Sequence, residues 1–266
     1  MGKKEKKKKE TYIPKTGLLG NAVDYNIKVF TMQEKILYFL LGTVVTGVVL
    51  YIFYESLIVS LIVGVAGGIV FLPLMNKNLI AKRKHKLLLQ FKDLLDALST
   101  SLGAGHNVLD AFSAAERDLL VEYSDDADII QEVKIILQGI GNNITIEKML
   151  TDFGERSGLR EIKDFASVFE TCYRKGANIQ EVIQNTAEVI TDEIEISMEI
   201  QTMVAGQKTE QNVMTLMPIV FVFVMKNMGG NLVDLSSPIG IMSMTAAIVL
   251  FVASYFISKK ILNIRL

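Results

Sequence analysis

Cysteine is nearly absent from this 266-residue chain. The single Cys172 rules out an internal disulfide. Two histidines, His85 and His106, are too few beside one cysteine for a structural zinc site. They also leave little for nucleophilic catalysis, which needs a base beside serine or cysteine. His85 lies in a basic flank and His106 in a glycine turn, and both read as solvated side chains. Tryptophan is missing, so an aromatic belt at a membrane surface would have to use tyrosine and phenylalanine. The four prolines suit a mainly helical chain. A net charge of −1 offers no basic field, so no nucleic-acid partner is expected. No phosphate loop, dinucleotide fingerprint, His-Glu-x-x-His pair or nucleophile elbow occurs, so neither a catalytic centre nor a cofactor or metal is expected.

What is abundant is apolar residue, and it is segregated. The mean hydropathy of +0.35 coexists with 21% charged residues only because the two kinds occupy different stretches. Residues 36–53 and 57–75 carry no charge, and a short turn at Tyr54-Glu55-Ser56 joins them. Each is about as long as a spanning helix needs. Gly64, Gly67 and Gly68 would let a neighbouring helix come close. A third run, Val213–Met225, reaches spanning length if Lys226 snorkels and the helix extends back toward Gln211. It contains Pro218, which in a membrane helix marks a kink. The fourth run is residues 239–258.

Basic clusters follow the N-terminus (Lys3 to Lys9), the second run (Lys77 to Lys86) and the fourth run (Lys259, Lys260, Arg265). By the positive-inside rule this gives four spans, with both termini and the middle of the chain in the cytoplasm. The expected layout is a basic cytoplasmic tail at 1–35, a membrane hairpin at 36–75 and a cytoplasmic helical domain at 76–212. Spans three and four follow at 213–258, and a basic cytoplasmic end at 259–266. The apolar region starts too far from the N-terminus, and lacks the cleavage site, for a signal peptide. The spans carry essentially no ionisable residues, which argues against a transporter.

The polar middle reads as amphipathic helices. Leu87, Phe91, Leu94, Leu95, Leu98 and Leu102 repeat at threes and fours. Further apolar faces follow over 108–119, 129–140, 145–156 and 159–173, and a last helix starts at Ile179 with no stop before the third apolar run. Thr191 to Ile196 alternates acidic and apolar residues, as a strand would, but its flanks are helical and it is read as helix. Two turns repeat a pattern. Gly105 ends one helix, and Asn107 with Asp110 caps the next. Gly176, Asn178 and Glu181 repeat this about seventy residues later, which suggests two similar three-helix units in a six-helix bundle. Gly141-Asn142-Asn143-Ile144 is an analogous turn. Cys172 falls on an apolar helix face and reads as a small buried hydrophobe. The charges Lys82, Arg83, Lys84, Asp125, Asp126 and Asp128 are the candidate partner surface. The close-spaced acids read as solvated surface rather than a cation site.

The order of elements, with the turn Leu102-Gly103-Ala104-Gly105-His106-Asn107-Val108 and its echo Tyr173-Arg174-Lys175-Gly176-Ala177-Asn178-Ile179, resembles the F domain of type II secretion systems and type IV pili. The resemblance covers roughly residues 85–225. The arrangement of two spans, helical domain and two spans is similar to platform proteins of tight-adherence (Tad, Flp) pili. The resemblance implies a multi-pass platform in the cytoplasmic membrane, with no catalytic residues. Its helical domain would contact an assembly ATPase, and its membrane part would receive prepilins. Many relatives carry two such domains in one chain. One here implies a homodimer or a second platform protein. A membrane-anchored adaptor or signalling protein with a helical partner-binding domain would share these sequence features.

Overall fold

The computed structural model describes residues 15–20, 22–27, 32–54, 56–176 and 178–227, with short helical stretches between 240 and 257. Among them every regular element is a helix: α1 (Met32–Tyr54), α2 (Leu57–Gly103), α3 (Val108–Glu122), α4 (Asp128–Gly141), α5 (Ile146–Ser157), α6 (Arg160–Lys175) and α7 (Ile179–Asn227). The N-terminal lysine run, residues 228–239 and the C-terminal Lys259, Lys260 and Arg265 lie outside the described residues. So do Glu55, Ala177 and the Lys226 side chain, and the fourth apolar run is described only in part.

The described residues divide into two compact units. One joins residues up to 29 with 78–191; the other joins 30–77 with residues from 192 onward. The second division falls inside α7 and within the stretch 76–212 that was expected to be one helical domain. Both α2 and α7 run unbroken through the points of division. For α2 the reason is composition. Lysine, arginine and leucine are good helix formers, and after Pro73 neither proline nor glycine occurs until Gly103. The basic flank at 77–86 is therefore helix, not a connector. α7 continues through the alternating stretch at 191–196 and past Pro218 to Asn227.

In the first unit the apolar periodicities become a core. Leu87, Phe91, Leu94, Leu95 and Leu98 of α2 are buried. So are Phe112 and Leu119 of α3, Ile129, Val133 and Ile136 of α4, Met149 and Phe153 of α5, and Phe165 and Phe169 of α6. Phe91 meets Phe153 and Phe165 edge-on, at centroid separations of 6.1 and 5.5 Å. Such pairs add roughly 0.5–1.5 kcal/mol beyond area burial. The ends of the helices are set locally. Asn107 Oδ1 accepts from the Asp110 N–H at 2.9 Å, and Gly105 takes a positive φ of 88°. Gly176 closes α6 at φ 66°, and Asn178 Oδ1 accepts from the Glu181 N–H at 3.4 Å. In the turn after α4 the left-handed residue is Asn143, at φ 60°, and not Gly141.

The second unit holds the apolar helices. The mean hydropathy is 2.3 for α1 and 2.6 for the apolar stretch of α2, and only 6% and 17% of these windows is buried within the chain. By length and composition both can cross a membrane. They approach closely where the sequence places small residues. A Cβ on Gly67 would stand 2.5 Å from Thr46 Oγ1, and one on Gly42 would stand 2.8 Å from Phe71 Cβ.

The tightest approach of a glycine to a neighbouring helix's backbone in the first unit is at Gly154, where a Cβ would stand 3.0 Å from the Cα of Lys163. Backbone cannot swing aside, so Gly154→Ala should push α5 from α6 and cost about 1–3 kcal/mol in urea unfolding of the full chain in detergent. Gly141→Ala, with nothing within 4 Å, is the control and should be neutral or slightly stabilising. Equal stabilities for the two variants would contradict the packing described.

Candidate functional site

Two charged residues occupy core positions. Arg156 follows Phe153 by three on the apolar face of α5. Glu132 lies between Ile129 and Ile136 on the apolar face of α4. Each is only 1% exposed. Arg156 Nη1 and Nη2 donate to the two Glu132 oxygens at 2.7 Å each, a forked pair. Its Nε donates to Asp152 Oδ2 at 2.7 Å, and Nη1 also reaches the Val23 carbonyl at 3.0 Å. Burial pulls the guanidinium pKa down, but hydrogen bonds and charges from Glu132 and Asp152 more than offset it, and the net direction is upward. The guanidinium therefore stays charged in the interior.

This pair holds an N-terminal segment that composition alone had placed in a tail. Tyr25, 1% exposed, donates its hydroxyl to Glu132 Oε1 at 2.9 Å. The Arg156 carbonyl accepts from the Tyr25 N–H at 3.1 Å and from Asn26 Nδ2 at 3.0 Å. Lys15 N–H donates to Asp24 Oδ2 at 2.9 Å, which closes the segment on itself. Residues 22–26 thus lie against α4 and α5 by specific polar contacts.

The same segment engages α2. The Arg83 guanidinium lies 4.8 Å from the centroid of the Tyr25 ring, within cation–π range. Arg83 also forks onto Asp128, Nε to Oδ2 at 2.9 Å and Nη2 to Oδ1 at 2.5 Å. The hydrogen bond to Asp128 raises its pKa. Lys84 Nζ donates to Asn26 Oδ1 at 2.7 Å and to the Gly158 carbonyl at 3.2 Å, and burial lowers its pKa. Three of the six charges expected on a partner surface, Arg83, Lys84 and Asp128, are therefore engaged within the chain. Asp125 pairs with Lys134. Lys82 and Asp126 are exposed. A hydrogen bond from the Ser124 side chain holds the Asp126 carboxyl below its ordinary pKa.

An open cleft of about 340 Å³ lies beside the segment, lined by Leu18, Lys148, Thr151, Asp152, Glu155 and Arg174 among others. Lys15 Nζ spans its edge to Glu155 Oε2 at 2.8 Å. Among the described residues no three His, Cys, Asp or Glu side chains come together as a metal site. His85 and His106 are exposed, and Cys172 is half-buried. The arrangement is a structural ion network that fastens a segment to a helical unit.

The model of one family, described as Type II secretion system (T2SS), protein F, matches residues 94–225. Over those residues the chain carries a domain of the type II secretion system protein F family. The match takes in the end of α2, all of α3 to α6 and α7 almost to its end. Glu132 and Arg156 lie inside it; Tyr25, Arg83 and Lys84 lie outside. The family domain marks a platform-type protein of secretion and type IV pilus machines, structural rather than enzymatic. With the two apolar helices it points to a protein of the membrane. No curated protein and no solved structure matches the chain.

Sequence reading missed the Glu132–Arg156 pair, although a signal for it was present. An acid and a base each stand at a core-facing position of consecutive amphipathic helices. Tyr25 gave no such signal, because its segment has no period.

Removing one member of a buried pair strands the other charge, so Glu132→Gln should cost about 3–5 kcal/mol in denaturant unfolding of the full chain. A loss below about 1 kcal/mol would contradict the network. Tyr25 gives a pH test. Burial first, then the charges of Glu132 and Asp128, raise its phenol above the ordinary value. The folded chain then binds that proton more tightly than the unfolded chain does. The resulting stability is complete below the unfolded value of about 10 and is lost as pH rises through the folded value. The Tm advantage of the wild type over Tyr25→Phe should hold at neutral pH and shrink above about pH 10. A constant difference across that range would contradict the burial of Tyr25.

Proposed function

We propose that the chain is an inner-membrane platform of a Tad/Flp-type pilus or related secretion machine, coupling a cytoplasmic assembly ATPase to pilin insertion or export. The observation that carries this reading is the placement of the family domain. It covers most of a packed helical unit whose first and last helices, α2 and α7, are the ones that run on into apolar sequence. The lipid bilayer holds four spans in this reading, the two described apolar helices and two more over 213–258, with both termini and the helical unit in the cytoplasm. Basic flanks support that orientation. Its partners are the ATPase, prepilins, and a second platform protein or a second copy. The helical unit is a six-helix bundle of two similar three-helix halves, opened by the Gly105 and Gly176 turns. Pro218 kinks the third span.

α7 is the lever in this reading. A helix without a break can carry a push or rotation from a motor into the bilayer. Gly206 lies within it. Inserting two glycines beside Gly206 costs about 1 kcal/mol per residue in helix propensity and breaks the register of everything beyond it. Cells carrying the insertion should place the protein in the membrane at normal level and assemble no filament or secreted product, read by counting surface filaments and by membrane fractionation. Undiminished assembly would contradict the lever.

A further inference from the structure

α7 carries an outward face between Asp192 and Gln207. Each helical residue turns by about 100°, so residues seven apart lie within about 20° of each other. Ile196 and Met203 are such a pair, and they are 52% and 64% exposed. Ile200 is half-buried beside them. Asp192, Glu195 and Glu199, spaced at three and four, form a row along one edge of this stripe, and Glu193 stands at the other edge. All four acids are exposed. Residues 190–207 contain no lysine or arginine. Among the described residues none of these carboxylates is in an ion pair.

Like charges at three and four repel one another along a helix, and an apolar stripe between them stays in contact with water. Both penalties vanish against one kind of surface. An anionic lipid surface would repel the acids, and a second copy of this face would bring the same charges. We infer that the α7 face of Ile196, Ile200 and Met203, edged by Asp192, Glu195 and Glu199, docks a basic amphipathic helix of a partner protein. The partner places apolar residues at heptad spacing on the stripe and lysines or arginines against the acid row. This inference stands apart from the platform reading.

The test uses the full chain in nanodiscs of zwitterionic lipid, with empty nanodiscs as baseline. The probe is a labelled helical peptide of about 20 residues with leucines at heptad spacing and flanking lysines; a second peptide replaces the lysines by glutamates. Fluorescence anisotropy should show the lysine peptide binding at least about 10-fold more tightly than the glutamate peptide, and more weakly as salt rises. Ile196→Ser with Met203→Ser should weaken it about 10-fold or more, and so should Asp192→Asn with Glu195→Gln and Glu199→Gln. These positions are exposed, so circular dichroism should show unchanged helix. No binding above baseline, or equal binding to wild type and both variants, would overturn the inference. So would efficient disulfide cross-linking of Ile196→Cys between two copies, which would make the occupant a second copy.

Discussion

A buried guanidinium and a buried carboxylate cannot be left apart in a protein interior, and the first unit is arranged around that requirement. Arg156 and Glu132 satisfy each other through two parallel hydrogen bonds. A fork of that kind still leaves donors and lone pairs to place. Asp152 takes the Nε donor, the Val23 carbonyl takes part of Nη1, and the Tyr25 hydroxyl supplies a further donor to Glu132. Satisfying the pair therefore requires α4, α5 and residues 23–25 together. An apolar pair of equal volume would bury as well. It would not specify which segment lies there. We regard this selectivity, rather than net stabilisation, as the role of the pair.

The chain uses a different device in each unit. In the first, aromatic packing of Phe91, Phe153 and Phe165 and the close approach at Gly154 fix the helices. In the second, α1 and α2 meet through Gly42, Gly67 and Gly68 against Thr43, Thr46 and Phe71, which suits helices with no hydrophobic drive to associate in lipid. α2 and α7 take part in both units, and their sequences change character along their length without a helix stop.

Much of this was legible in the residues. The helices α3 to α6 follow from apolar residues at threes and fours and from glycines that end them. The Asn107 cap follows from its spacing to Asp110. The family domain was readable from the order of elements and the two glycine turns. The continuity of α2 was harder to see, because the basic flank at 77–86 is both a topological marker and good helix sequence, and the marker dominated the reading. Arg83, Lys84 and Asp128 were expected to face a partner; instead Arg83 pairs with Asp128 and lies over Tyr25, and Lys84 reaches Asn26 and the Gly158 carbonyl, all remote in sequence. The segment of Tyr25 and Asn26 could not be read at all. A tyrosine between short polar residues has no pattern that announces burial, and its position is decided by a pair of charges more than a hundred residues away.

In the proposed function this protein is the membrane platform on which an assembly ATPase acts. The most direct measurement is to purify the tagged full chain from its own cells in mild detergent and identify its companions by mass spectrometry at low and high salt. The account predicts a secretion ATPase together with a second platform protein, the ATPase weakening as salt rises. Recovery of a kinase or receptor with no ATPase at either salt would contradict it.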